Sequence, residues 1–476
     1  MDGSTHPVDK DILERIAAVV GKKGLITDPV EIAPYVIDQR KYYEGRTPMV
    51  VRPATTNEVA EIVKICAETG TPIVPQGGNT GLCGGATPHD DGSEIILSLT
   101  RMNAVRDVDP LNYTMTVEAG VILADVQKAA EEVDRLFPLS LGAEGTARIG
   151  GNLSTNAGGT GVLRYGNARD LALGLEVVLP DGRIWDGLSS LRKDNTGYDL
   201  KHLFIGGEGT LGIITAAVLK LHPRPRDVQT AFVAVRNCAA AIELLARART
   251  ASGDRVTTFE WMARTGIAFV LEHIPGTRDP LAQEWPEYLL IELSSGHEDG
   301  SLRESLEEIL ADAMERGEVL DATIADSRAQ AKDFWKLRET IPEAQQIAGR
   351  GIKHDISVPV SSVPEFLDRA NQGVARAVPG LEICAFGHIG DGNVHYNLNQ
   401  PPDADGAEFM THQAELNRIV HDIATDLRGS ISAEHGIGLL KRDELQHYKS
   451  PVALDLMRTL KQALDPKGIM NPGKVL

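Results

Sequence analysis

Glycine residues are concentrated in three short stretches of this chain. The sequence contains 47 glycines among 476 residues, and they crowd between Gly77 and Gly85, between Gly142 and Gly166, and between Gly206 and Gly212. Helices and strands are weakened by glycine, because its flexible backbone loses the most entropy on folding. The three stretches therefore predict loops that consist mostly of backbone.

Hydrophobic periodicity around these loops predicts alternating strands and helices. The segment from Met49 reads as a strand, a helix and a second strand that leads into the first glycine stretch. The helix follows the capping residue Thr55 and ends at Gly70. Its apolar face carries Val59, Ile62, Val63 and Cys66. Similar alternation continues along the chain, which predicts the α+β fold class.

Glycine density and element order also suggest domain boundaries. We expect an N-terminal helical segment over residues 1–45 and a glycine-rich first domain over 46–225. Beyond Pro225 the order changes to a split βαβ layer, which predicts a ferredoxin-like second domain over 226–430. This domain includes one long helix over 406–427. The remaining segment, 431–476, should contain the helix VALDLMRTLKQAL and then turns.

Charge and cysteine content exclude several classes of protein. The sequence has 67 acidic and 48 basic residues, a net charge of −19, which opposes binding to nucleic acid or an anionic membrane. Four scattered cysteines indicate neither a disulfide framework nor a thiolate metal cluster. We found no secretory signal and no apolar run of about 18 residues, so we expect a cytoplasmic protein without a transmembrane segment.

The first two glycine stretches are suited to a phosphate-containing ligand. The sequence GGNTG follows a predicted strand and would present several backbone N–H groups to one spot, as diphosphate-binding loops do. A tight structural turn is the alternative. The second stretch has eight glycines among Ser154, Thr155 and Asn156, which predicts backbone wrapped around a large flat ligand.

The third stretch has the spacing of a nicotinamide dinucleotide fingerprint, GxGxxG, at Gly207, Gly209 and Gly212. That fingerprint must open a helix. Here the following sequence, IITAAVLKL, is rich in β-branched residues and predicts a strand. We therefore do not expect a nicotinamide cofactor.

Histidines and a carboxylate recur in two short motifs. His388 and His395 lie in GHIGDGNVHYN, and Glu434 and His435 lie in SAEHGIG. In a strand, His395, Asn397 and Asn399 would share one face. Imidazole and carboxylate groups suit a zinc or manganese-like ion, and Glu434 and His435 could both face it only from an irregular loop. Hydrogen-bonded loop histidines without a metal are the alternative.

The motifs VPQGGNTGLCGG, IGGNLSTNAGG, LRYGNARD and FIGGEGTLGIIT resemble the FAD-binding domain of the vanillyl-alcohol oxidase and p-cresol methylhydroxylase type. This resemblance implies that residues 46–225 bind FAD, and that the cofactor is non-covalent, because Asn79 stands where covalent members often have histidine. The implied cofactor-binding residues are Pro75, Gln76, Gly77, Gly78, Asn79, Thr80, Gly81, Leu82, Gly142, Gly151, Asn152, Thr155, Asn156, Gly159, Glu208, Gly209, Ile214 and Asn471.

The histidine motifs resemble the D-2-hydroxyacid dehydrogenase branch of that family, which includes D-lactate and D-2-hydroxyglutarate dehydrogenases and the flavin subunit of glycolate oxidase. The resemblance implies that His388, His395 and Glu434 bind a divalent metal, which we expect to be zinc. It makes His435 the catalytic base and Asn397 a substrate contact. Arg338 and Lys353 would bind the substrate carboxylate; without the resemblance, Arg338 reads as a solvated helix residue.

Pro342 departs from the branch that acts on hydroxyglutarate, which has a threonine there. Proline has no donor, so D-lactate is as credible a substrate as D-2-hydroxyglutarate. The resemblance implies transfer of a hydride to FAD and then of electrons to an electron-transfer flavoprotein or a quinone, and we expect a homodimer. A metallohydrolase that uses His388, His395 and Glu434, and a flavin electron-transfer module without its own substrate, are the alternatives.

Overall fold

The computed structural model describes residues 8–476, which form two compact units. The first unit contains the chain up to Ala157, Asn167–Pro223 and Glu434–Leu476. The second contains Gly158–Gly166 and Arg224–Ala433. Both units combine helices with strands, which confirms the α+β fold class.

The elements that precede Arg224 in the described chain are short and numerous. The helices are α1 (Lys10–Gly24), α2 (Pro29–Val36), α3 (Thr56–Thr69), α4 (Leu123–Glu132), α5 (Ile149–Ser154), α6 (Val162–Tyr165) and α7 (Lys201–Phe204). The strands are β1 (Leu25–Ile26), β2 (Val50–Val51), β3 (Ile73–Gln76), β4 (Ile95–Ser98), β5 (Val105–Asp109), β6 (Thr114–Glu118), β7 (Arg135–Leu136), β8 (Ala172–Val178), β9 (Ile184–Gly187), β10 (Ile213–Lys220) and β11 (His222–Pro223).

Longer elements follow. The helices are α8 (Cys238–Ser252), α9 (Arg264–His273), α10 (Ser301–Glu315), α11 (Arg328–Glu339), α12 (Ile341–Ala348), α13 (Val363–Ala377), α14 (Gly406–Met410), α15 (Gln413–Asp426), α16 (Arg442–Tyr448) and α17 (Pro451–Leu464), with a 3-10 turn at Val360–Ser362. The strands are β12 (Asp227–Val235), β13 (Val256–Ala263), β14 (Glu287–Ser295), β15 (Val319–Ile324), β16 (Gly351–Ser357), β17 (Glu382–Gly387) and β18 (Asn393–Asn399).

Two main sheets support the first unit. One has the order β1-β2-β4-β3, with β4 parallel to both β2 and β3. The other is antiparallel, with the order β5-β6-β10-β8-β9. Helix α3 begins after the N-cap Thr55 and ends at a left-handed Gly70, as predicted. Strand β10 directly follows the third glycine stretch, which confirms the strand predicted in place of a dinucleotide-binding helix.

A seven-stranded antiparallel sheet forms the centre of the second unit, in the order β15-β12-β14-β13-β17-β18-β16. Its two faces belong to separate cores. On β12, Val233 lies in one core and Phe232 and Ala234 lie in the other. Because side chains alternate along a strand, this pattern means that both faces of the sheet are covered, as its nearly continuous apolar strands require.

Two parts of the second unit differ from the prediction. The long helix expected over 406–427 is two helices, α14 and α15, separated by a turn at Thr411 and His412, where the Thr411 hydroxyl donates to the Glu408 carbonyl. The segment Gly158–Gly166, expected in the glycine-rich domain, belongs to the second unit. Its Arg164 Nη1 donates to Ser294 Oγ at 2.6 Å.

Residues 434–476 return to the first unit. Met470 pairs with Ile73 at the edge of β3, and the buried Lys474 Nζ lies 3.3 Å from Glu94 Oε1. The four cysteines are buried, and within the described residues they form no disulfide. Among the described residues, none of the helices has both the length and the apolar content needed to cross a membrane.

Candidate functional site

The first glycine loop of the first unit is braced by its own polar side chains. Gln76, at the end of β3, is buried, and its Nε2 donates to the carbonyls of Tyr35 and Ala86 at 2.8 Å. Asn79 Nδ2 donates to the carbonyl of Ile37 at 2.9 Å. These amides hold the loop in place, so ligand contacts there would come mainly from backbone N–H groups.

Glycines in these loops serve two different purposes. A Cβ on Gly78 would lie 2.2 Å from the Thr146 carbonyl oxygen, so the chain itself requires glycine where the first loop touches the second. At other glycines an added Cβ would meet no described atom within 4 Å, and φ is ordinary. These positions are Gly81, Gly142, Gly145 and Gly151. The fold does not explain glycine there, whereas close approach of a ligand would.

Helix α5 carries part of the second loop. Asn152 is buried, and its Oδ1 has no hydrogen-bond partner in the described chain. Thr155 Oγ1 donates to the Gly151 carbonyl at 3.1 Å. Asn156 has a positive φ of 51° and accepts the Arg169 N–H at its Oδ1. Because buried polar atoms are almost always paired, the Asn152 oxygen is suited to a donor on a bound group.

Glu208 and Asn471 link the third glycine stretch to the returning segment. The Glu208 carboxylate accepts the N–H groups of Ile437 and Gly438 at 2.7 and 2.8 Å. Burial raises the Glu208 pKa, and these two hydrogen bonds oppose that rise. Asn471 Nδ2 donates to the carbonyls of Gly85 and Glu208, and its Oδ1 is a second buried acceptor that lacks a partner among the described residues.

The other positions implied for FAD lie on the same framework, with one exception. Pro75 lies in β3, Gly77, Thr80 and Leu82 follow in the first loop, Gly209 has a left-handed φ of 71°, and Ile214 is buried in β10. Gly159 belongs to the second unit. The open glycine positions and the unpaired Asn152 and Asn471 oxygens fit a large polar cofactor such as FAD.

In the second unit, polar residues share one sheet face, as alternation predicted. Val394, Tyr396 and Leu398 of β18 pack in the core on the opposite face. The polar face presents two rows of cross-strand neighbours from β17, β18 and β16. They are Cys384, Asn397 and Lys353 in one row and Phe386, His395 and Asp355 in the next. The sheet register therefore brings Lys353 beside Asn397 and Asp355 beside His395.

Glu260, on β13, joins this group through a buried carboxylate. Its Oε2 accepts a hydrogen bond from Nε of Arg338 at 2.7 Å and forms an ion pair with Nη2 of the same guanidinium at 2.7 Å, and its Oε1 pairs with Nδ1 of His388. Burial favours the neutral acid, but electrostatic interactions and hydrogen bonds with His388 and Arg338 hold the Glu260 pKa at about 2. Arg338 is only 7% exposed, with Cζ 4.7 Å from the Phe386 ring centroid. It is not a solvated helix residue.

Side-chain amides form a chain beside these cations. Asn397 Nδ2 donates to Gln345 Oε1 at 3.0 Å, and Gln345 Nε2 donates to Asn399 Oδ1 at 2.6 Å. Gln345 lies on α12 and is buried. The orientation of Asn397, an implied substrate contact, is thus fixed by Gln345. Sequence reasoning missed both Gln345 and Glu260; a charged residue within the apolar strand VTTFEWMA was the available signal.

The candidate metal ligands adjoin the same face. The rings of His388 and His395 are edge-to-face with centroids 5.5 Å apart. The Ala433 N–H donates to the Asp355 carbonyl at 3.1 Å, and Glu434 and His435 are the next two residues of that irregular segment.

In the second unit, His395 Nδ1 lies 3.6 Å from Asp355 Oδ1, so Asp355 is a potential ligand in addition to His388 and His395. Glu434 and His435 begin the returning segment, which belongs to the first unit. Imidazole nitrogens with carboxylate oxygens are a donor set that fits Zn²⁺.

Known protein families match most of the chain. Residues 47–187 match the family described as FAD binding domain, and residues 224–475 match FAD linked oxidases, C-terminal domain. Among solved structures, p-cresol methylhydroxylase with substrate bound has a TM-score of 0.76 at 19% identity, covering 98% of this chain and 96% of that one. The chain therefore belongs to the FAD-linked oxidase family, with the fold expected from its glycine motifs.

Curated relatives narrow the resemblance. The D-2-hydroxyglutarate dehydrogenase of Bos taurus is 41% identical over 470 residues, 98% of this chain and 84% of that protein. The Arabidopsis thaliana enzyme of the same name is 39% identical, over 96% of this chain and 80% of that protein. A putative D-lactate dehydrogenase of Schizosaccharomyces pombe is 36% identical, over 96% and 88%. These relatives confirm the resemblance to the D-2-hydroxyacid dehydrogenase branch.

The cytoplasmic location expected from the sequence is wrong by this comparison. All three relatives are named as mitochondrial proteins. The expectation rested on finding no secretory signal, and the lack of one kind of signal does not identify a compartment.

Proposed function

We propose that this chain is an FAD-dependent dehydrogenase that oxidises the Cα hydroxyl of a D-2-hydroxy acid to the 2-oxo acid. D-2-Hydroxyglutarate is the first candidate substrate, because relatives about 40% identical over nearly the whole chain carry that name. The observation that carries the proposal is the polar sheet face of the second unit. There, Arg338 is buried and held by Glu260 on the face that also presents Lys353, Asn397 and His395.

Arg338 and Lys353 bind the substrate carboxylate in this proposal. Both cations lower the pKa of the Cys384 thiol, although burial outweighs them and raises that pKa to about 12. Their positive charges therefore converge on one place, beside Asn397. Arginine can offer two parallel N–H donors to a carboxylate and lysine adds a point charge. Asn397, fixed by Gln345, completes the recognition of the acid.

His435 takes the proton of the substrate hydroxyl. A histidine suits this step because its pKa is near neutrality. FAD, when bound on the glycine loops, supplies an acceptor for the hydrogen and the electron pair that leave Cα. A divalent metal, when bound by His395 and Glu434 with Asp355 or His388, supplies a positive charge that makes the hydroxyl more acidic.

An anaerobic absorbance titration tests the proposal. The flavin band of the purified protein should bleach with D-2-hydroxyglutarate and not with its L-enantiomer, and a chelator should abolish the bleaching until metal is restored. A yellow protein that no hydroxy acid bleaches would favour the electron-transfer module. A colourless protein that binds no FAD would favour the metallohydrolase.

A histidine pair of variants tests the base. The His435→Asn variant should retain FAD, but its rate of flavin reduction should fall about 10²–10⁴-fold, which is the usual contribution of general-base catalysis. His412→Asn is the control, because His412 is partly exposed and its Nδ1 lies 3.6 Å from the exposed Glu415 carboxylate, away from the polar sheet face. Equal rates in the two variants would exclude His435 as the base.

D-Lactate is the second candidate substrate, and Pro342 is the observation that favours it. Pro342 occupies the first turn of α12 and is exposed, and it cannot donate a hydrogen bond to a second carboxylate. In steady-state assays with an artificial electron acceptor, a larger kcat/KM for D-lactate than for D-2-hydroxyglutarate would make D-lactate the preferred substrate. We also propose an electron-transfer flavoprotein or a quinone as the acceptor, and a homodimer as the assembly.

A further inference from the structure

Glu260 stands out because one carboxylate holds two different functional groups. Arg338 and His388 come from α11 and from the loop after β17, and neither is near Glu260 in sequence. We propose that Glu260 is a positioning residue that sets both the orientation of the Arg338 guanidinium and the tautomer of His388. This inference rests on the proposed function, in which Arg338 meets the substrate.

The contact with Arg338 selects which of its donors face a ligand. A guanidinium has five N–H donors. The N–H of Nε donates to Glu260 Oε2, Nη2 lies 2.7 Å from the same oxygen, and the centroid of the Phe386 ring is 4.7 Å from the guanidinium carbon. The donors left for a substrate carboxylate are on Nη1 and the outer side of Nη2. Glu260 therefore orients Arg338 so that Nη1 and Nη2, at the end of the guanidinium, can donate two parallel hydrogen bonds to the substrate carboxylate.

The contact with His388 determines which nitrogen of the imidazole ring carries the hydrogen. An ionised carboxylate can only accept hydrogen bonds, so Nδ1 of His388 must carry hydrogen when it pairs with Glu260 Oε1. In the neutral ring the lone pair then lies on Nε2, the atom that a metal would require. Carboxylates that orient histidine ligands in this way strengthen metal binding.

A second buried carboxylate provides a matched control. Glu292 lies on β14, next to β13 in the sheet, and accepts hydrogen bonds from Trp335 Nε1 at 2.8 Å and Thr230 Oγ1 at 2.7 Å. Trp335 is on α11, the helix that also carries Arg338. Replacement of Glu292 removes a buried carboxyl from the same part of the fold without removing the partner of Arg338 or His388.

The decisive experiment compares Glu260→Gln with Glu292→Gln in the FAD-loaded protein. Zn²⁺ affinity is measured after chelator treatment by competition with a chromophoric chelator, and steady-state turnover with an artificial electron acceptor gives KM and kcat for D-2-hydroxyglutarate. Glu260→Gln should weaken Zn²⁺ binding about 10–100-fold and raise KM at least as much as it lowers kcat. Glu292→Gln should leave both within about twofold. Glu260→Asp, which keeps the charge, should recover part of the loss.

Wild-type Zn²⁺ affinity and KM unchanged in Glu260→Gln would overturn the inference. A wild-type protein that binds no Zn²⁺ and is reduced by no hydroxy acid would instead overturn the proposed function. A measurement without any variant covers the case in which Glu260→Gln does not fold. Nitrogen-15 spectra of histidine-labelled, metal-free wild-type protein at pH 8.5 should show His388 protonated on Nδ1, and protonation on Nε2 alone would overturn the inference.

Discussion

The glycine loops of the first unit and the polar sheet face of the second unit prepare ligand sites by opposite means. In the loops, the side chains of Gln76, Asn79 and Glu208 are engaged with the protein's own backbone, and the surface left over is backbone beside open glycine positions. On the sheet face, the surface consists of charged and amide side chains that hold one another, as Arg338 and Glu260 do.

This difference predicts different responses to mutation. A backbone surface is sensitive to the size of an added side chain, because any Cβ occupies ligand space. A surface of interlocked side chains is sensitive to charge and hydrogen bonding, because each removed group leaves a buried partner unpaired. Substitutions in the second unit should therefore reduce stability most, and those at open glycines should separate cofactor binding from stability.

The largest effect is expected for Arg338→Met. It leaves the buried Glu260 carboxylate without its guanidinium partner, and removal of one member of a buried ion pair costs about 3–5 kcal/mol. The free energy of unfolding, from urea denaturation, measures the loss. Arg249→Met is the control, because Arg249 and Asp254 form an exposed pair at 2.7 Å, worth about 1 kcal/mol or less. Equal losses of unfolding free energy in the two variants would contradict the expectation that the buried sheet face is more sensitive to the loss of a charge than an exposed ion pair is.

Gln345→Leu should have the next largest effect. It leaves Asn397 Nδ2 and Asn399 Oδ1 buried without their partner, at a total cost of about 3 kcal/mol. KM for the hydroxy acid should also rise, because Asn397 is no longer oriented. Gln346→Leu, at the exposed neighbouring position, should change the free energy of unfolding by less than about 0.5 kcal/mol. An unchanged KM in Gln345→Leu would remove Asn397 from substrate recognition.

Glu176 is a charged residue of the first unit that should stabilise the fold without taking part in cofactor binding. Its Oε1 accepts hydrogen bonds from Thr56, Thr215 and Arg106 at 2.6, 2.9 and 3.1 Å. Burial raises its pKa, but these contacts lower it more, so the folded pKa lies below the model-compound value of 4.5. Its stabilisation is present above pH 4.5 and is lost as the pH falls below that value.

Glu176→Gln should therefore cost about 1.5 kcal/mol at pH 7 and show a shallower loss of stability below pH 4.5 than the wild type does. Urea denaturation at several pH values measures this. FAD affinity should be unchanged, because Glu176 lies in β8, outside the glycine loops. Parallel pH profiles for the two proteins would refute the role given to this carboxylate.

Gly151→Ala should have the smallest effect on the free energy of unfolding, and unlike the preceding variants it should raise this free energy. Gly151 lies in α5 with open space at its Cβ, so alanine should stabilise the FAD-free protein by about 0.5–1 kcal/mol. Its FAD affinity should nevertheless fall. Gly78→Ala is the contrasting variant, because its Cβ meets the Thr146 carbonyl and the FAD-free protein itself should lose stability. Unimpaired FAD binding in Gly151→Ala would place the cofactor elsewhere.

Local sequence patterns predicted much of this structure. The capped helix α3, the strand β10 after the third glycine stretch and the polar face of β18 all depend on residues close together in sequence. Glu260 and Gln345 could not be found in this way. Glu260 is 78 residues from Arg338, and Gln345 is 52 residues from Asn397. Only the sheet order and the packing of α11 and α12 bring these partners together.

The way that residues 434–476 rejoin the first unit has a consequence for biosynthesis. Strand β3 lies at a sheet edge, and that edge is covered by the N–H of Ile73 bonding to Ile469 and the N–H of Asn471 bonding to Ile73. The ribosome makes β3 hundreds of residues before its cover. During that interval the nascent chain exposes an unpaired strand next to its first glycine loop, the kind of edge that promotes aggregation. The sheet that leads into the first glycine loop is therefore completed only after residues 469–471 have been synthesised.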